Sequence, residues 1–126
     1  VDARAAKVAR VARDIPPLEV HGSQSGDLLV VGWGSTYGAI DDAVRQATCA
    51  GRRVGHLHLR HLNPFAADVG EVLGRYRTVL VPELNLGQLS RLLRERYLVD
   101  AAPLAKVQGR PFTAAEVYTR IMELAR

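Results

Sequence analysis

Cysteine is nearly absent from this chain. Cys49 is the single one among 126 residues, so no intrachain disulfide and no cysteine-held metal cluster can form within it. Such sparing use of cysteine predicts a reducing, cytoplasmic home. Long apolar runs are missing as well. No stretch approaches the roughly 20 residues of a membrane span, and no leader pattern of a charged start followed by an apolar run is present, so no membrane partner is expected. Internal repeats, low-complexity tracts and linkers are also lacking, which argues for one domain, large enough to bury roughly two thirds of its unfolded surface. The usual catalytic signatures are not there. The sequence has no nucleophile elbow and no Ser-His-Asp arrangement. Gly38 falls one position late after Gly32 and Gly34 for G-x-G-x-x-G, and no lysine follows those glycines as a Walker loop requires. No catalytic residue and no metal site are therefore assigned. The first residue is Val1 rather than Met, and the chain is expected to be a piece of something longer.

What is present is an ordinary globular composition, 48% hydrophobic and 24% charged, with a net charge of +4 carried mainly by arginine. Mild basicity suits an acidic partner surface or a bound anion. The stretch from Asp27 to Gly51 organises the rest. Leu28 to Val31 form a short continuous apolar run, the pattern of a strand buried on both faces of a parallel sheet. Gly32-Trp33-Gly34 breaks the run, and Ser35-Thr36 offers hydroxyls to cap a helix. Tyr37, Ile40, Val44 and Ala47 then recur on one predicted helical face. Asp41 and Asp42 near the start suit the helix dipole, and Gly51 suits its end.

Upstream, residues 1–17 are predicted as a lead-in helix ended by Pro16-Pro17, with residues 18–126 forming a single α/β domain. Arg4, Lys7, Arg10 and Arg13 line one side of that helix, either as a solvated edge or as a nucleic-acid stripe. Leu18 to Val20 is predicted as a short edge strand. After Gly51, Val54 to Leu62 is a predicted second strand on which His56 and His58 share a face. Two imidazoles so spaced can reach one ion, with Asp68 and Glu71 as candidate further ligands. Histidines packed beside a helix, hydrogen-bonded and neutral, are the favoured reading. Asn63-Pro64-Phe65 turns the chain into a helix carrying Val69, Val72, Leu73 and Tyr76.

Thr78 to Pro82 is a third buried strand, followed by Glu83. Asn85 and Gln88 form a capping-box pattern, and Leu86, Leu89, Leu92 and Leu93 are predicted to face the sheet. One or two more short strands are expected at Tyr97–Val99 and Ala105–Val107. A second capping box, Thr113-x-x-Glu116, opens the last helix, with Phe112 and Val117 as its hydrophobic staple. Alternating strand and helix imply a three-layer α/β/α fold with a mostly parallel sheet. In such a sheet the turn at Gly34, Ser35 and Thr36, Arg60, and Glu83 all fall at the carboxyl edge, where ligand crevices form. Gly34, Ser35, Thr36 and Arg60 are thus a candidate anion site. Glu83 is read as a structural carboxylate tethering loop amides, or as an internal partner of Arg60.

The spans VVGWGSTYGAIDDAV, VGHLHLRHLNPF, VLVPELNLGQLSRLLRERYLVDA and GRPFTAAEVYTRI, in that order, resemble one family. It is the C-terminal domain of the α subunit of 2-oxoacid:ferredoxin oxidoreductases, most of all the 2-oxoglutarate type. More remotely, Leu59-Arg60 followed by Asn63-Pro64 resembles transketolase-type C-terminal domains. The likeness implies a five-stranded mixed sheet with one antiparallel edge strand. It also implies a whole enzyme that converts 2-oxoglutarate to succinyl-CoA while reducing ferredoxin, with thiamine diphosphate, an iron–sulfur cluster and coenzyme A as substrate. The expected partners are the remainder of the α subunit, a β subunit and, through the whole enzyme, ferredoxin. None of those cofactors is expected in this chain, and no catalytic residue carries over. Three functions stay open: a structural and assembly domain of that enzyme, a stand-alone module binding a small anion or nucleotide at Gly34 to Thr36, and a nucleic-acid-binding protein using the first arginines.

Overall fold

The computed structural model describes residues 18–60, 67–83, 88–105 and 112–125. The lead-in helix, the Asn63-Pro64-Phe65 turn and the Asn85 cap lie outside the described residues. Within them the chain alternates as expected. β1 (Val20–Gly22), β2 (Gly26–Trp33), a 3₁₀ turn (Gly34–Thr36) and α1 (Tyr37–Cys49) come first. β3 (Val54–Leu59), α2 (Val69–Leu73), β4 (Tyr76–Glu83), α3 (Gln88–Tyr97), β5 (Ala101–Ala105) and α4 (Ala114–Leu124) follow.

The five strands form one sheet in the order β1-β3-β2-β4-β5. β2 is central and parallel to both β3 and β4, β5 is parallel to β4, and β1 runs antiparallel along β3. Helices cover both faces because β2 is apolar on both. Leu28, Leu29, Val30 and Val31 are all fully buried, and full burial of such a side chain contributes about 1.5–3 kcal/mol. Alternation sends Leu29 and Val31 toward α2 and α3, where they meet Val69, Val72, Leu73, Leu89 and Leu93. Leu28 and Val30 face α1 and α4 and meet Ile40, Val44, Ala47, Val117 and Ile121. The result is the three-layer arrangement implied by the sequence pattern.

Two helix ends follow their local chemistry closely. α1 stops at Gly51, which takes φ +85°, with the Gly51 N–H donating to Thr48 O and the Arg52 N–H to Ala47 O, both at 3.0 Å. That pair of bonds is the Schellman motif, and it satisfies carbonyls the helix would otherwise leave open. α4 begins with the expected capping box. Thr113 Oγ1 accepts from the Glu116 amide at 3.2 Å, and Glu116 Oε1 accepts from the Thr113 amide at 3.1 Å. Phe112 and Val117 are both buried in the same core beside it.

Several details differ from the sequence reading. The edge strand is Val20–Gly22 rather than Leu18 to Val20, because Val20 and Gly22 pair with Leu57 and Gly55 while the Leu18 amide donates to Asp68 Oδ2 at 3.0 Å. β3 ends at Leu59, with Arg60 already in a bend. The strand expected at Tyr97–Val99 does not form. Tyr97 is the last residue of α3, and Leu98 closes it at φ +54° with its amide on Arg94 O. The fifth strand is Ala101–Ala105, poor in β-formers and containing Pro103, and the expected Ala105–Val107 strand lies beyond Ala105 outside the described residues. The position of Ala101–Ala105 at the sheet edge, paired only with β4, is what tolerates a residue with no N–H. On α3 the buried stripe is narrower than expected, since Leu89 and Leu93 are buried but Leu92 is exposed.

Candidate functional site at the carboxyl edge

The loops after β2 and β4 leave the sheet toward helices on opposite faces, the arrangement that opens a crevice at the carboxyl edge of a parallel sheet. Around it lie the residues singled out from sequence, and the structure sorts them between the two faces.

On the α3 face stands Glu83, buried at 1% exposure. Its Oε1 accepts from the Leu89 amide at 2.9 Å and its Oε2 from the Ser90 amide at 3.1 Å. Those are the second and third residues of α3, so the carboxylate supplies from the strand end what a capping side chain would supply locally. The tethered amides belong to a helix rather than to a loop. Among the described residues no ion pair joins Glu83 to Arg60, which is exposed on the far side of β2.

On the α1 face lies the glycine turn. Trp33 pairs with Leu59, so Gly34 and Arg60 are the next residues beyond one register pair. Gly34 takes φ +66°, Ser35 is exposed and Thr36 is buried. Neither hydroxyl caps α1, contrary to expectation. Thr36 Oγ1 points backward and donates to Trp33 O at 3.0 Å, and the helix start has no side-chain cap. Gly32 is what lets α1 begin so close to the sheet. A Cβ there would stand 2.4 Å from Ile40 Cδ1 and 2.8 Å from Thr36 Oγ1.

Below this turn the α1-facing row of β3 reads Val54, His56, His58, and then Arg60 beyond the strand. His56 is fully buried, and neither ring nitrogen has a hydrogen-bond partner; His58 Nδ1 has none either. This corrects the expectation of hydrogen-bonded histidines. The rings are packed instead. Tyr37, predicted for the buried face of α1, is 40% exposed and lies across both, its centroid 5.1 Å from His56 and 5.2 Å from His58. His21 joins from the edge strand, 6.1 Å from His56 and 6.2 Å from Tyr37. Burial holds His56 neutral, with its pKa lowered to about 4, against a weaker opposing pull from Asp41 and with smaller contributions from His58 and His21. Burial, and then the charge of Arg60, lower the pKa of His58. Asp68 and Glu71 are occupied elsewhere, on the Leu18 amide and on Arg75, and no group of three or more potential ligands among the described residues could hold a metal ion.

Sequence reasoning missed two members of this cluster, His21 and Tyr37. His21 lies just past the expected edge strand Leu18 to Val20, and only the antiparallel register that pairs it with His56 brings it in.

The family model for the pyruvate:ferredoxin oxidoreductase core domain II matches residues 26–117. The chain belongs to this family. Among curated relatives, the 2-oxoglutarate oxidoreductase subunit KorA of Mycobacterium tuberculosis is 53% identical over 105 residues, 82% of this chain. Among solved structures, the 2-oxoglutarate:ferredoxin oxidoreductase of Magnetococcus marinus superposes on 98% of it with a TM-score of 0.88 at 29% identity. The domain II chain spans only 16% of KorA and 22% of the Magnetococcus chain. A split gene transketolase, solved as an inactive β4 tetramer, shares the fold at a TM-score of 0.66 and 17% identity, over 86% of this chain and 42% of its own. The transketolase-type architecture inferred from the sequence is therefore the architecture of this domain II.

Proposed function

We propose that this domain is a structural and assembly element of the α subunit of a 2-oxoglutarate:ferredoxin oxidoreductase. The whole enzyme would decarboxylate 2-oxoglutarate oxidatively to succinyl-CoA and pass the electrons to ferredoxin. The observation that carries this reading is the 53% identity to KorA, well above the level of a shared fold alone. Its partners would be the remainder of the α subunit, a β subunit and, through the whole enzyme, ferredoxin, in the cytoplasm. No described helix is long and apolar enough to cross a membrane, which accords with that placement.

Thiamine diphosphate and an iron–sulfur cluster belong to the whole enzyme in this reading, and coenzyme A is its substrate. Among the described residues, the side chains do not fit the two cofactors. Cys49 is exposed and is the chain's one thiol, and the His56–His58 cluster lacks the carboxylates a diphosphate-bound cation would need. The domain's own contribution is then shape and attachment: a rigid sheet with helices on both faces, presenting its edges to the rest of the subunit.

Co-expression of the full α subunit with its β subunit tests this. Reduction of a viologen dye, dependent on 2-oxoglutarate, coenzyme A and thiamine diphosphate, is expected from the assembly and not from the 126-residue chain. Dye reduction by the chain alone, or full activity in an assembly from which this segment is deleted, would overturn it.

A further inference from the structure

The end of α3 leaves apolar surface in water at a point where the backbone is also strained. Leu98 follows the helix, and its amide donates to Arg94 O at 3.0 Å. That single bond is the αL form of helix ending, and Leu98 takes the left-handed conformation it requires, φ +54°. Glycine holds such a position without steric cost, whereas a leucine Cβ crowds the following carbonyl. Leu98 is the one non-glycine residue with positive φ among those described. Packing of the side chain could offset the strain, yet Leu98 is 88% exposed. Within this domain it gains nothing in return.

Its neighbours extend the feature into a surface. Arg91, Arg94, Glu95 and Leu98 recur at i, i+3, i+4 and i+7, so they form one stripe on the side of α3 away from the buried Leu89 and Leu93. All four are exposed. Leu92 borders the stripe at 49% exposure, so two of the three large exposed hydrophobics among the described residues belong to this helix and its end. Neither Arg91 nor Arg94 is ion-paired among the described residues. The helix carries three arginines against one glutamate, a balance that suits carboxylates opposite it. The chain then enters β5, which is paired on one side only and has no charged residue in Ala101–Ala105. Strand edges left to water usually carry charge, and here Pro103 is the only guard.

We propose that this surface, formed by Arg91, Arg94, Leu98 and the flanking Leu92, docks the domain on the remainder of its own α subunit, with Leu98 seated in an apolar pocket rimmed by carboxylates. The inference rests on the assembly reading and names the face through which that assembly is made. Tethering favours the same subunit over another chain. The domain spans only 16% of KorA and 22% of the Magnetococcus chain, so in a subunit of that size most of the polypeptide is held beside it at high effective concentration. Burial of Leu98 there offsets the strain of its backbone, and the arginines gain charged partners.

The test uses the assembled α and β subunits. A photoreactive diazirine analogue of leucine at position 98 should cross-link to α-subunit residues outside residues 1–126. Leu98→Gly gives a second readout, with a sign that a purely local role would not produce. Glycine suits the left-handed cap, so at an uncovered helix end it leaves amide exchange across residues 91–98 unchanged or slower. In the assembly we expect exchange there to become several-fold faster, while Leu98→Met, which keeps an apolar anchor, stays near wild type. Loss of assembly in Leu98→Gly but not in Leu98→Met supports the proposal equally. Cross-links to the β subunit, quenching by water alone, or exchange that Leu98→Gly leaves unchanged or slows would overturn it. Dye reduction by the wild-type assembly reports on the enzyme reading independently of these results.

Discussion

Replacing Glu83 is the most informative perturbation of this fold, because one side chain joins the end of β4 to the start of α3. The carboxylate is 1% exposed and takes two amide bonds, 2.9 Å to Leu89 and 3.1 Å to Ser90. A hydrogen bond to a charged group contributes about 1.5–3 kcal/mol, and the helix dipole adds about 0.3–1 kcal/mol for an anion at this end. Against them stands the cost of keeping a carboxylate out of water, which consumes part of the gain. Glu83→Ala removes both acceptors and leaves two helix-start amides facing a cavity. We expect it to cost about 3–5 kcal/mol, a large share of the roughly 5–15 kcal/mol that holds a domain of this size together. Glu83→Gln keeps one carbonyl acceptor and loses the charge, so about 1.5–3 kcal/mol is expected. Urea unfolding gives the totals, and amide hydrogen exchange at Leu89 and Ser90 gives the local effect. If Glu83→Ala costs less than about 1 kcal/mol and both amides stay protected, the carboxylate is not what anchors α3, and the reasoning fails.

Gly32→Ala should destabilise by about 1–3 kcal/mol, because its Cβ would fall 2.4 Å from Ile40 Cδ1 and 2.8 Å from Thr36 Oγ1; an unchanged melting temperature would refute the close approach of α1. Acid should weaken the fold through His56. Its folded pKa lies near 4, below the ordinary 6.5 of the unfolded chain, so the unfolded state takes up the proton first. The neutral ring's contribution is complete above pH 6.5 and is lost as pH falls toward about 4. Full conversion of that shift gives roughly 3 kcal/mol, and the relaxation of polar and polarisable neighbours around a charged ring reduces it to about 1–2 kcal/mol. Urea melts of the wild type and His56→Phe at neutral pH and near pH 4 check this, and equal acid sensitivity in the two proteins would show that His56 is not the group responsible.

The sequence by itself determined the elements whose cause is local. The Leu28–Val31 run could only be a strand buried on both faces, and Gly51 and the Thr113–Glu116 box ended and began their helices through bonds spanning a few residues. These signals suffice because periodicity and capping involve neighbours along the chain. The tertiary structure decided whatever depends on residues far apart. Ala101–Ala105 became a strand because β4 offered it an unpaired edge, while the more β-prone Tyr97 stayed in α3. Thr36 looked like a cap, yet its hydroxyl turned to the Trp33 carbonyl once Gly32 let α1 sit down on the sheet. Register brought His21 to His56 and Gly34 beside Arg60 across separations that no local pattern encodes. Most of all, alternation along β4 turned Glu83 toward α3, so two motifs that share an edge in the sequence reading face opposite sides of the sheet. Which face a strand-end side chain takes depends on how its strand is paired and covered, and that pairing is a property of the assembled sheet.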